Sequence, residues 1–302
     1  RYVKIVDPER EEELSLLLAS LSGYSAIVFH GLFEPWCEVV LRSVPDRVKV
    51  AWVFWGGEIY GRHDLSDKFI APRSRFIYKI RNFINIVRGK QERHYEVPKD
   101  LYKRVDYCLT DMQEEYEFAK EYLDAPKMKF LWYNYYSIDK TIGDLADSYC
   151  DGENVIVGNS ASIECNFIDV FPIVRRIIRR ESHVIVPLGY GSPWIRNLVV
   201  KYGRRTLGAS FIPMVDYMPR SEYNKVLISC STMVQPHYRP QAQGNIITGL
   251  WLGMCVYLSE KSFAYRYFKR IGIQVYSIEK DLRNRVASGF EMNQKAVEMN
   301  RS

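Results

Sequence analysis

The stretch NVIVGNSASIECNFIDVFPIVRRIIRRESHVIVPLGYG, residues 154–191, decides the fold. It contains two short apolar runs, VIV at 155–157 and VIVPL at 184–188, with a helix-like segment at 168–180 between them. A strand, a helix and a second strand in this order form a βαβ unit, in which the two strands pair in parallel. The stretch therefore predicts an α/β fold built on a parallel sheet.

The same alternation extends over the rest of the chain. Further strands are predicted at 26–29, 48–55, 226–228 and 256–258, and further helices at 9–21, 193–202 and from 281 onward. A polar break that contains a glycine, ADSYCDGEN at 146–154, separates these elements into two groups. We therefore predict two doubly wound Rossmann-like domains, residues 1–150 and 151–302, and consider a return of the last helix onto the first domain.

Composition limits the class of protein. The 302 residues are 47% hydrophobic and 26% charged, which is typical of a globular chain with room for two cores. The six cysteines include no C-x-x-C pair, so we expect reduced thiols in a cytosolic protein and no zinc site. No apolar run reaches the roughly 18 residues that span a bilayer, and the N-terminus lacks a signal-peptide pattern. We expect a soluble or peripheral protein.

The net charge of +6 is explained by one region, because residues 62–104 contain twelve Lys and Arg against five Asp and Glu. Within it, SRFIYKIRNFINIVRGK (74–90) forms one apolar helical stripe flanked by cations. Such a helix is typical of proteins that lie in the headgroup layer of an anionic membrane. We predict membrane contact and no nucleic-acid partner; packing of the stripe on the N-terminal sheet is the alternative. The predicted contact residues are Phe76, Ile80, Phe83, Arg81 and Arg88.

Ligands of parallel sheets bind beyond the carboxyl ends of the strands. Four of the five loops that follow predicted strands have a glycine at the turn, where a backbone can approach a ligand closely. Both predicted domains have such loops, so we expect ligand contacts in each of them. The five loops are His30-Gly31, Trp55-Gly56-Gly57-Glu58, Gly158-Asn159-Ser160, Gly189-Tyr190-Gly191 and residues 235–245.

Several phosphate-binding signatures are missing from the sequence. There is no G-x-x-x-x-G-K-[ST] loop, GYGSPW (189–194) lacks the third glycine of a dinucleotide fingerprint, and there is no Asp-x-Asp pair. Without a metal, a diphosphate needs helix N-termini and cationic side chains to balance its charge. HYRPQAQGNIITG (237–249) offers both, since His237 and Arg239 precede a predicted helix start. We therefore expect neither a metal nor a cofactor.

Five motifs together resemble a known family. GNSASIECN (158–166), VIVPLGYG (184–191) and QAQGNIITGLWLG (241–253) are similar to motifs of the TDP-N-acetylfucosamine:lipid II N-acetylfucosaminyltransferases, or 4-alpha-L-fucosyltransferases, which help to assemble enterobacterial common antigen. VFHGLFEPW (28–36) and WVFWGGEIYG (52–61) are similar to the family's first two loops. The chain departs from the family pattern at Ala161-Ser162-Ile163, where an acidic residue and an arginine are usual, and at Glu58, where Asp is usual.

The resemblance implies a GT-B fold, with two Rossmann-like domains facing a cleft. It implies a metal-independent hexosyltransferase that moves N-acetylfucosamine, or a related amino- or deoxysugar, from a TDP- or UDP-linked donor to a lipid-linked saccharide. This reaction would serve surface polysaccharide synthesis at the cytoplasmic face of the bacterial inner membrane. The implied donor residues are Gly158, Asn159, Ser160, Gly189, Tyr190, Met214, Tyr217, Arg239, Gln243, Gly244 and Asn245, and the implied acceptor residues are Gly31, Trp55, Gly56 and Gly57.

Two residues of the first domain are candidates for proton transfer. His30 follows a predicted strand, and a neutral imidazole there suits the removal of a proton from an acceptor hydroxyl. Glu58 follows the next strand and is a second candidate base, with capping of the following helix as its alternative role. Two other functions also fit the fold. One is a sugar-nucleotide 2-epimerase, and the other is a non-catalytic subunit that binds a nucleotide sugar or lipid.

Overall fold

The structure is a computed structural model that describes residues 6–90, 95–284 and 294–301. Its strands are β1 (Ala26–His30), β2 (Lys49–Val53), β3 (Tyr107–Thr110), β4 (Lys129–Trp132), β5 (Asn154–Val157), β6 (Val184–Pro187), β7 (Phe211–Met214), β8 (Cys230–Gln235), β9 (Cys255–Leu258) and β10 (Tyr276–Ser277). Its helices are α1 (Glu11–Ser20), α2 (Pro35–Ser43), α3 (Gly57–Tyr60), α4 (Pro72–Val87), α5 (Gln113–Tyr122), α6 (Ile138–Ile142), α7 (Phe167–Ile177), α8 (Pro193–Leu207), α9 (Arg220–Ile228), α10 (Gln243–Trp251), α11 (Phe263–Arg270) and α12 (Gln294–Arg301).

The first sheet has four parallel strands in the order β1-β2-β3-β4. Its centre is aromatic: Trp52 on β2 is fully buried and packs against Phe54 and Tyr102, with ring centroids 4.7 Å and 5.1 Å away. Burial of these large rings removes apolar surface from water, which is the main stabilising contribution to such a core. The strand order fixes His30 and the loops after β2, β3 and β4 at one edge of the sheet.

The second sheet has six parallel strands in the order β10-β9-β8-β5-β6-β7. All residues of β6 and β9 are buried, because helices cover both faces of the sheet. The order reverses between β5 and β8, which makes this sheet doubly wound as predicted. The reversal is the place where α/β sheets of this kind bind ligands.

Contacts group the chain into two compact units, whose limits differ from the predicted domains. The first unit is Arg1–Ser66 with Glu92–Tyr135, and the second is Asp67–Gln91 with Tyr136–Ser302. The polar break at 146–154 therefore lies inside the second unit, because α6, which precedes it, packs against α10. Likewise α4 packs against α7, and α12 packs against α10, all within the second unit.

One predicted strand is wrong. Residues 226–228 form the last turn of α9, where Leu227 is buried, and the strand begins two residues later as β8. An apolar run of three residues is too short for its periodicity to separate a strand from a helix end. No helix in the described ranges is long and apolar enough to span a bilayer.

A single carboxylate from α7 holds the start of α4. Asp169 accepts hydrogen bonds from the backbone N–H groups of Arg73 (3.0 Å) and Ser74 (2.9 Å) and from the Ser74 hydroxyl (2.7 Å). The helix has no side-chain cap of its own at Ala71. Asp169 therefore takes the capping role that a residue at the helix start usually has.

We predict that Asp169→Ala lowers the free energy of unfolding by about 1–3 kcal/mol, because it leaves three donors at the start of α4 without their acceptor. Urea denaturation measures this loss. The matched control is Asp139→Ala, an exposed carboxylate in the first turn of α6, which should change the free energy by less than about 0.5 kcal/mol. Equal losses in the two variants would contradict the capping role.

Candidate functional site

The loop after β5 begins at the reversal point of the second sheet. Gly158 has φ +68°, and a Cβ there would lie 2.7 Å from the Phe167 ring, so only glycine fits this turn. Its N–H donates to the carbonyl of Val234 on β8 at 2.9 Å. The next residues, Asn159 and Ser160, are buried at the carboxyl edge of the sheet. The predicted turn is therefore tied to the neighbouring strand.

A chain of polar side chains connects three of the loops at this edge. The Asn159 amide donates to the Tyr190 hydroxyl at 2.9 Å, and Gln241 donates to the Asn159 oxygen at 3.3 Å. Gly189 is needed beside them, because a Cβ there would lie 2.6 Å from the Asp216 carbonyl oxygen. The structure thus brings Asn159, Gly189 and Tyr190 together and adds Gln241 to them; their role in donor binding stays a prediction.

Cys165 and His237 form a buried pair beneath these loops. The Cys165 Sγ lies 3.2 Å from His237 Nε2 and 3.5 Å from the Asn159 oxygen. Burial, with a smaller contribution from the Arg239 charge, lowers the pKa of His237 to about 3. The imidazole is therefore neutral near pH 7, which leaves Arg239 as the cationic side chain of this segment. Its Nδ1 is buried without a hydrogen-bond partner in the described residues.

Arg239 follows β8 and makes an ion pair across the reversal point. Its Nη2 lies 2.6 Å from a carboxylate oxygen of Glu164, in the loop after β5. Both side chains are about one-fifth exposed, at 21% and 19%. The Ser162 hydroxyl donates to the same carboxylate at 3.3 Å and also caps the short turn that carries Glu164. The Glu164 carboxylate thus holds the Arg239 side chain close to the edge of the sheet.

The start of α10 lies beside a cavity of about 610 Å³. Gly244, Asn245 and Tyr223 line it, and the Asn245 amide donates to the hydroxyl of the half-buried Tyr223 at 3.1 Å. The residue before the helix, Ala242, is left-handed with φ +59°, a conformation that costs a residue with a Cβ about 1–2 kcal/mol. Such strain is concentrated at ligand sites. The other lining residues are Tyr136, Lys140, Thr141, Arg220, Asn224, Leu227 and Thr248.

The remaining predicted donor residues are less closely joined. Met214 ends β7, and Tyr217 is 87% exposed in the loop that follows. Gln243 is the first residue of α10. The Met214 carbonyl accepts a hydrogen bond from the Leu188 N–H at 2.7 Å, and the backbone at Asp216 and Tyr217 packs against Gly189. No described contact of the Met214 or Tyr217 side chain reaches Asn159, so their roles stay predictions.

In the first unit, an aromatic cluster surrounds His30 at the end of β1. His30 Nδ1 lies 2.6 Å from the Tyr135 hydroxyl, and the Tyr135 ring lies 4.9 Å from Trp55 and 5.0 Å from Tyr133 between centroids. His30, Trp55 and Tyr135 are all exposed. An exposed aromatic surface beside an imidazole suits a sugar ring, because aromatic side chains combine an apolar body with a polar tip.

Glu58 lies below this surface. Its Oε1 accepts hydrogen bonds from the Trp52 indole (2.9 Å) and the Trp55 backbone N–H (3.2 Å), and the residue is only 7% exposed. Gly56, with φ +90°, and Gly57 begin α3 directly before it. No described contact joins Glu58 to His30. The carboxyl fixes the loop that presents Trp55, and of the two candidate bases only His30 is exposed.

Comparison with known proteins identifies the fold. No protein-family model matches the sequence, and no curated protein is similar to it in sequence. A glycosyltransferase structure from Rickettsia africae superposes with a TM-score of 0.59 over 99% of this chain and 78% of that chain, at 10% identity. The fold is GT-B. The UDP-forming trehalose-phosphate synthase of Burkholderia xenovorans also superposes with a TM-score of 0.59, over 98% and 74% of the two chains at 9% identity.

A third GT-B structure, Anabaena HepE in complex with UDP and glucose, superposes with a TM-score of 0.55 at 11% identity. The superposition includes 96% of this chain and 71% of the HepE chain. These likenesses confirm the predicted fold of two Rossmann-like sheets. Membership of the N-acetylfucosaminyltransferase family stays a prediction.

Sequence reasoning missed several residues at both edges. Glu164 lies inside the quoted GNSASIECN motif, but only the structure shows that it reaches Arg239 from the next strand over. Tyr135 follows β4, a strand that was not predicted from the sequence. Its contact with His30 could therefore not be predicted either. The available signal was the dense aromatic run WYNYY at 132–136, which begins at the last residue of the short apolar run KFLW (129–132).

The first unit also buries a second carboxyl. Glu115 accepts hydrogen bonds from the hydroxyls of Tyr60 (2.8 Å) and Thr110 (3.1 Å). Burial is the largest cause that raises the pKa of Glu58 to about 7 and that of Glu115 to about 8, and the charge of Glu58 adds to the second shift. Both carboxyls therefore keep protons in the folded protein that the unfolded chain releases above pH 4.5.

We predict that the stability of the protein falls as pH rises from about 5 to 8, because over this interval the folded state binds more protons than the unfolded state. Urea denaturation across this range measures the slope. Glu115→Gln should flatten it, whereas Glu121→Gln, an exposed carboxylate on the same helix, should leave it unchanged. A slope that is identical in wild type and Glu115→Gln would contradict the assignment.

Proposed function

We propose that this protein is a metal-independent glycosyltransferase that uses a nucleoside-diphosphate sugar. The observation that carries the proposal is the cluster at the reversal point of the second sheet, where Asn159, Tyr190, Gln241 and Arg239 lie beside the start of α10. One GT-B relative, HepE, was solved with UDP and glucose and also with UDP-glucose, which supports a donor of this class.

The donor diphosphate is assigned to Arg239 and to the first turn of α10. A helix start presents backbone N–H groups without intrahelical acceptors, together with a positive dipole end, and both favour a phosphate. Arg239 adds a full charge in a fork geometry that matches phosphate oxygens. Glu164 balances this charge in the structure. A bound phosphate must therefore either displace the Glu164 carboxylate from Arg239 or bind Arg239 together with it. The absence of an Asp-x-Asp pair from the sequence supports charge balance by the protein's own groups.

The acceptor is assigned to the first unit, around His30 and Trp55. In the transfer step, His30 takes the proton of an acceptor hydroxyl while the hydroxyl oxygen forms a bond to the anomeric carbon. The bond from that carbon to the diphosphate oxygen breaks, and its electron pair leaves with the nucleoside diphosphate. Arg239 and the start of α10 stabilise the leaving charge. The buried Glu58 supports the Trp55 loop through two hydrogen bonds.

The resemblance to the N-acetylfucosaminyltransferases supports a lipid-linked saccharide as acceptor and an amino- or deoxysugar as donor, and α4 supports a membrane location. Its apolar residues stay open to solvent: Phe76 and Phe83 are each 67% exposed, and Val87 is 71% exposed. Arg88 and Lys90 are exposed at its end. We assign this surface, the α4 face, to the headgroup layer of an anionic membrane, where each nearby cation contributes about 1 kcal/mol.

One of the predicted membrane-contact residues, Arg81, contacts a neighbouring helix. Its guanidinium lies 4.2 Å from the centre of the Trp194 ring, which holds it against α8. Lys79 is likewise paired with Asp67 at 2.8 Å. Arg88 and Lys90 are therefore better targets than Arg81 for a test of the membrane proposal, since within the described residues neither side chain makes a hydrogen bond, an ion pair or a ring contact.

We predict that UDP or TDP binds the wild-type protein in EDTA and that Arg239→Ala weakens this binding by about 1.5–3 kcal/mol, the value of a charge-assisted bond to phosphate. Isothermal titration calorimetry measures both affinities. Arg204→Ala, an exposed arginine of α8, is the matched control and should bind as the wild type does. Glu164→Gln should bind at least as tightly, because it removes a competing anion.

Unchanged affinity in Arg239→Ala would remove Arg239 from the donor site, and binding that requires a divalent cation would contradict the metal-independent mechanism. Incubation with a nucleotide sugar alone separates the other functions. Conversion of the sugar without an acceptor would indicate the 2-epimerase. Binding of donor without release of nucleoside diphosphate on addition of a lipid-linked acceptor would indicate the non-catalytic subunit.

We predict that the protein co-sediments with vesicles that contain anionic lipid at low salt and is released as salt rises, because salt screens the cations of the α4 face. Phe83→Ser and the pair Arg88→Glu and Lys90→Glu should each weaken co-sedimentation. Ile271→Ser is the control, an apolar residue of the second unit that is 46% exposed and lies outside α4. Failure of the wild type to bind anionic vesicles at low salt would contradict the membrane proposal.

A further inference from the structure

A second cavity, of about 490 Å³, lies beside the start of α4, and all the residues that line it belong to the second unit. Neither Arg239 nor the first turn of α10 lines it. Asn166 fixes its frame, because the side-chain oxygen accepts a hydrogen bond from the Ala71 N–H at 2.7 Å and the amide donates to the Pro236 carbonyl at 2.7 Å. The cavity therefore has a rigid wall and the volume of a small-ligand site, outside the proposed donor site.

Three arginine side chains line this cavity. Arg73 lies in the first turn of α4, Arg176 lies on α7, and Arg283 follows the turn Ile278–Leu282. All three are exposed, and within the described ranges none of their guanidinium groups makes a hydrogen bond, an ion pair or a ring contact. A guanidinium matches phosphate oxygens with two parallel hydrogen bonds. Three of them, from three different elements around one cavity, favour a ligand with several anionic oxygens.

The two carboxylates that line the cavity are bound by other donors. Asp169 accepts the three hydrogen bonds that cap the start of α4. Glu279 accepts from the Ser259 hydroxyl at 2.5 Å and from the Glu260 N–H at 2.9 Å. Three positive charges therefore line the cavity against two negative ones, and the positive charges are those without a partner among the described residues. This balance favours an anion.

Tyr238 adds a neutral donor to the same cavity. Burial is the largest cause that raises its pKa to about 12, and the charges of Glu279 and Asp169 raise it further, so the phenol keeps its proton near pH 7. Within the described ranges its hydroxyl makes no hydrogen bond, which leaves the proton available to a ligand. The Lys261 ammonium lies 4.8 Å from the centre of the Tyr238 ring and adds a further positive charge nearby.

Apolar side chains complete the wall of the cavity: Val170, Pro172, Ile173 and Ile278. The α4 face begins beside it, because Phe76 follows Arg73 by three positions and residues with this spacing lie on the same side of a helix. The surface that we assign to the membrane thus begins one turn from the arginines. A ligand that joins a phosphate to an apolar chain matches both kinds of side chain.

We propose that this cavity binds the phosphate group of a lipid, at an anion site separate from the donor site. Arg73, Arg176 and Arg283 contact the phosphate oxygens, Tyr238 donates one further hydrogen bond, and the apolar wall contacts the first part of the lipid chain. A phosphate bound here orients the α4 face toward the lipid surface. The phosphate site does not rest on the transferase function.

The test is isothermal titration calorimetry of the full chain with dihexanoyl phosphatidate, a water-soluble lipid, below its critical micelle concentration. We expect Arg176→Ala and Arg283→Ala each to weaken binding at least about tenfold, because each removes a charge-assisted bond to phosphate. Arg175→Ala is the matched control, since Arg175 is exposed on the same helix and does not line the cavity. It should bind as the wild type does, and so should Arg239→Ala.

Absence of phosphatidate binding in the wild type, or equal affinities in Arg176→Ala, Arg283→Ala and Arg175→Ala, would overturn the site. Loss of binding in Arg239→Ala would also overturn it, because the phosphate would then occupy the donor site. Inorganic phosphate that binds as tightly as dihexanoyl phosphatidate would overturn the lipid as ligand, since the chains would contribute nothing.

A parallel titration with UDP keeps this inference apart from the proposed function. We expect Arg176→Ala to bind UDP as the wild type does, because Arg176 does not belong to the donor cluster. Absence of UDP binding in a wild-type protein that binds dihexanoyl phosphatidate would count against the proposed function and would support a lipid-phosphate site that is independent of it. A loss of UDP affinity in Arg176→Ala equal to its loss of phosphatidate affinity would contradict two separate sites.

Discussion

Parallel strand pairing is the constraint on which the rest of this structure depends. Every strand pair in the described residues is parallel, so each strand must be followed by a crossover before the next one begins. The carboxyl ends of all strands in a sheet therefore meet at one edge. Residues far apart in sequence, such as Glu164 and Arg239 or His30 and Tyr135, become neighbours there.

The carboxyl edges of the two sheets present different kinds of side chain. At the second sheet, amides, a neutral buried histidine and a balanced arginine form a compact polar cluster, and the strained Ala242 starts a helix beside an open cavity. At the first sheet, exposed aromatic rings surround an imidazole over a buried carboxyl. The first arrangement suits an anion, and the second suits a sugar ring with a hydroxyl to deprotonate. We propose that the edge of the second sheet takes the nucleoside-diphosphate sugar and the edge of the first sheet takes the acceptor.

The fold followed from local patterns in the sequence. The runs at 155–157 and 184–188 are bounded by turn residues and separated by a helix of ordinary length, and they appear as β5 and β6. β3, β4, β7 and β10 were not predicted, because YCLT, KFLW, FIPM and YS lack the run of β-branched residues that marks β5 and β6. The break at 146–154 looked like a linker because composition cannot reveal that α6 packs against α10.

For the candidate site too, local sequence patterns predict the turns but not the contacts between residues that are distant in sequence. Gly158 and Gly189 could be predicted from their places after strands, since steric need at a turn is a local property. The neutrality of His237 could not be predicted, because it comes from burial beside Cys165, more than 70 residues away in sequence. Pairings such as Glu164 with Arg239 depend on strand order, and no local pattern encodes them. The unit limits and the place of α4 against α7 have the same origin.

We propose that the carboxyl edge of the second sheet binds the donor nucleotide, and hydrogen–deuterium exchange of the whole protein with and without UDP or TDP tests this most directly. We expect slower exchange in the nucleotide-bound protein at residues 158–165, 189–192 and 241–246, with no change along α4 or α8. Saturating nucleotide that leaves these three loops unchanged, or protects a different part of the second unit instead, would contradict it.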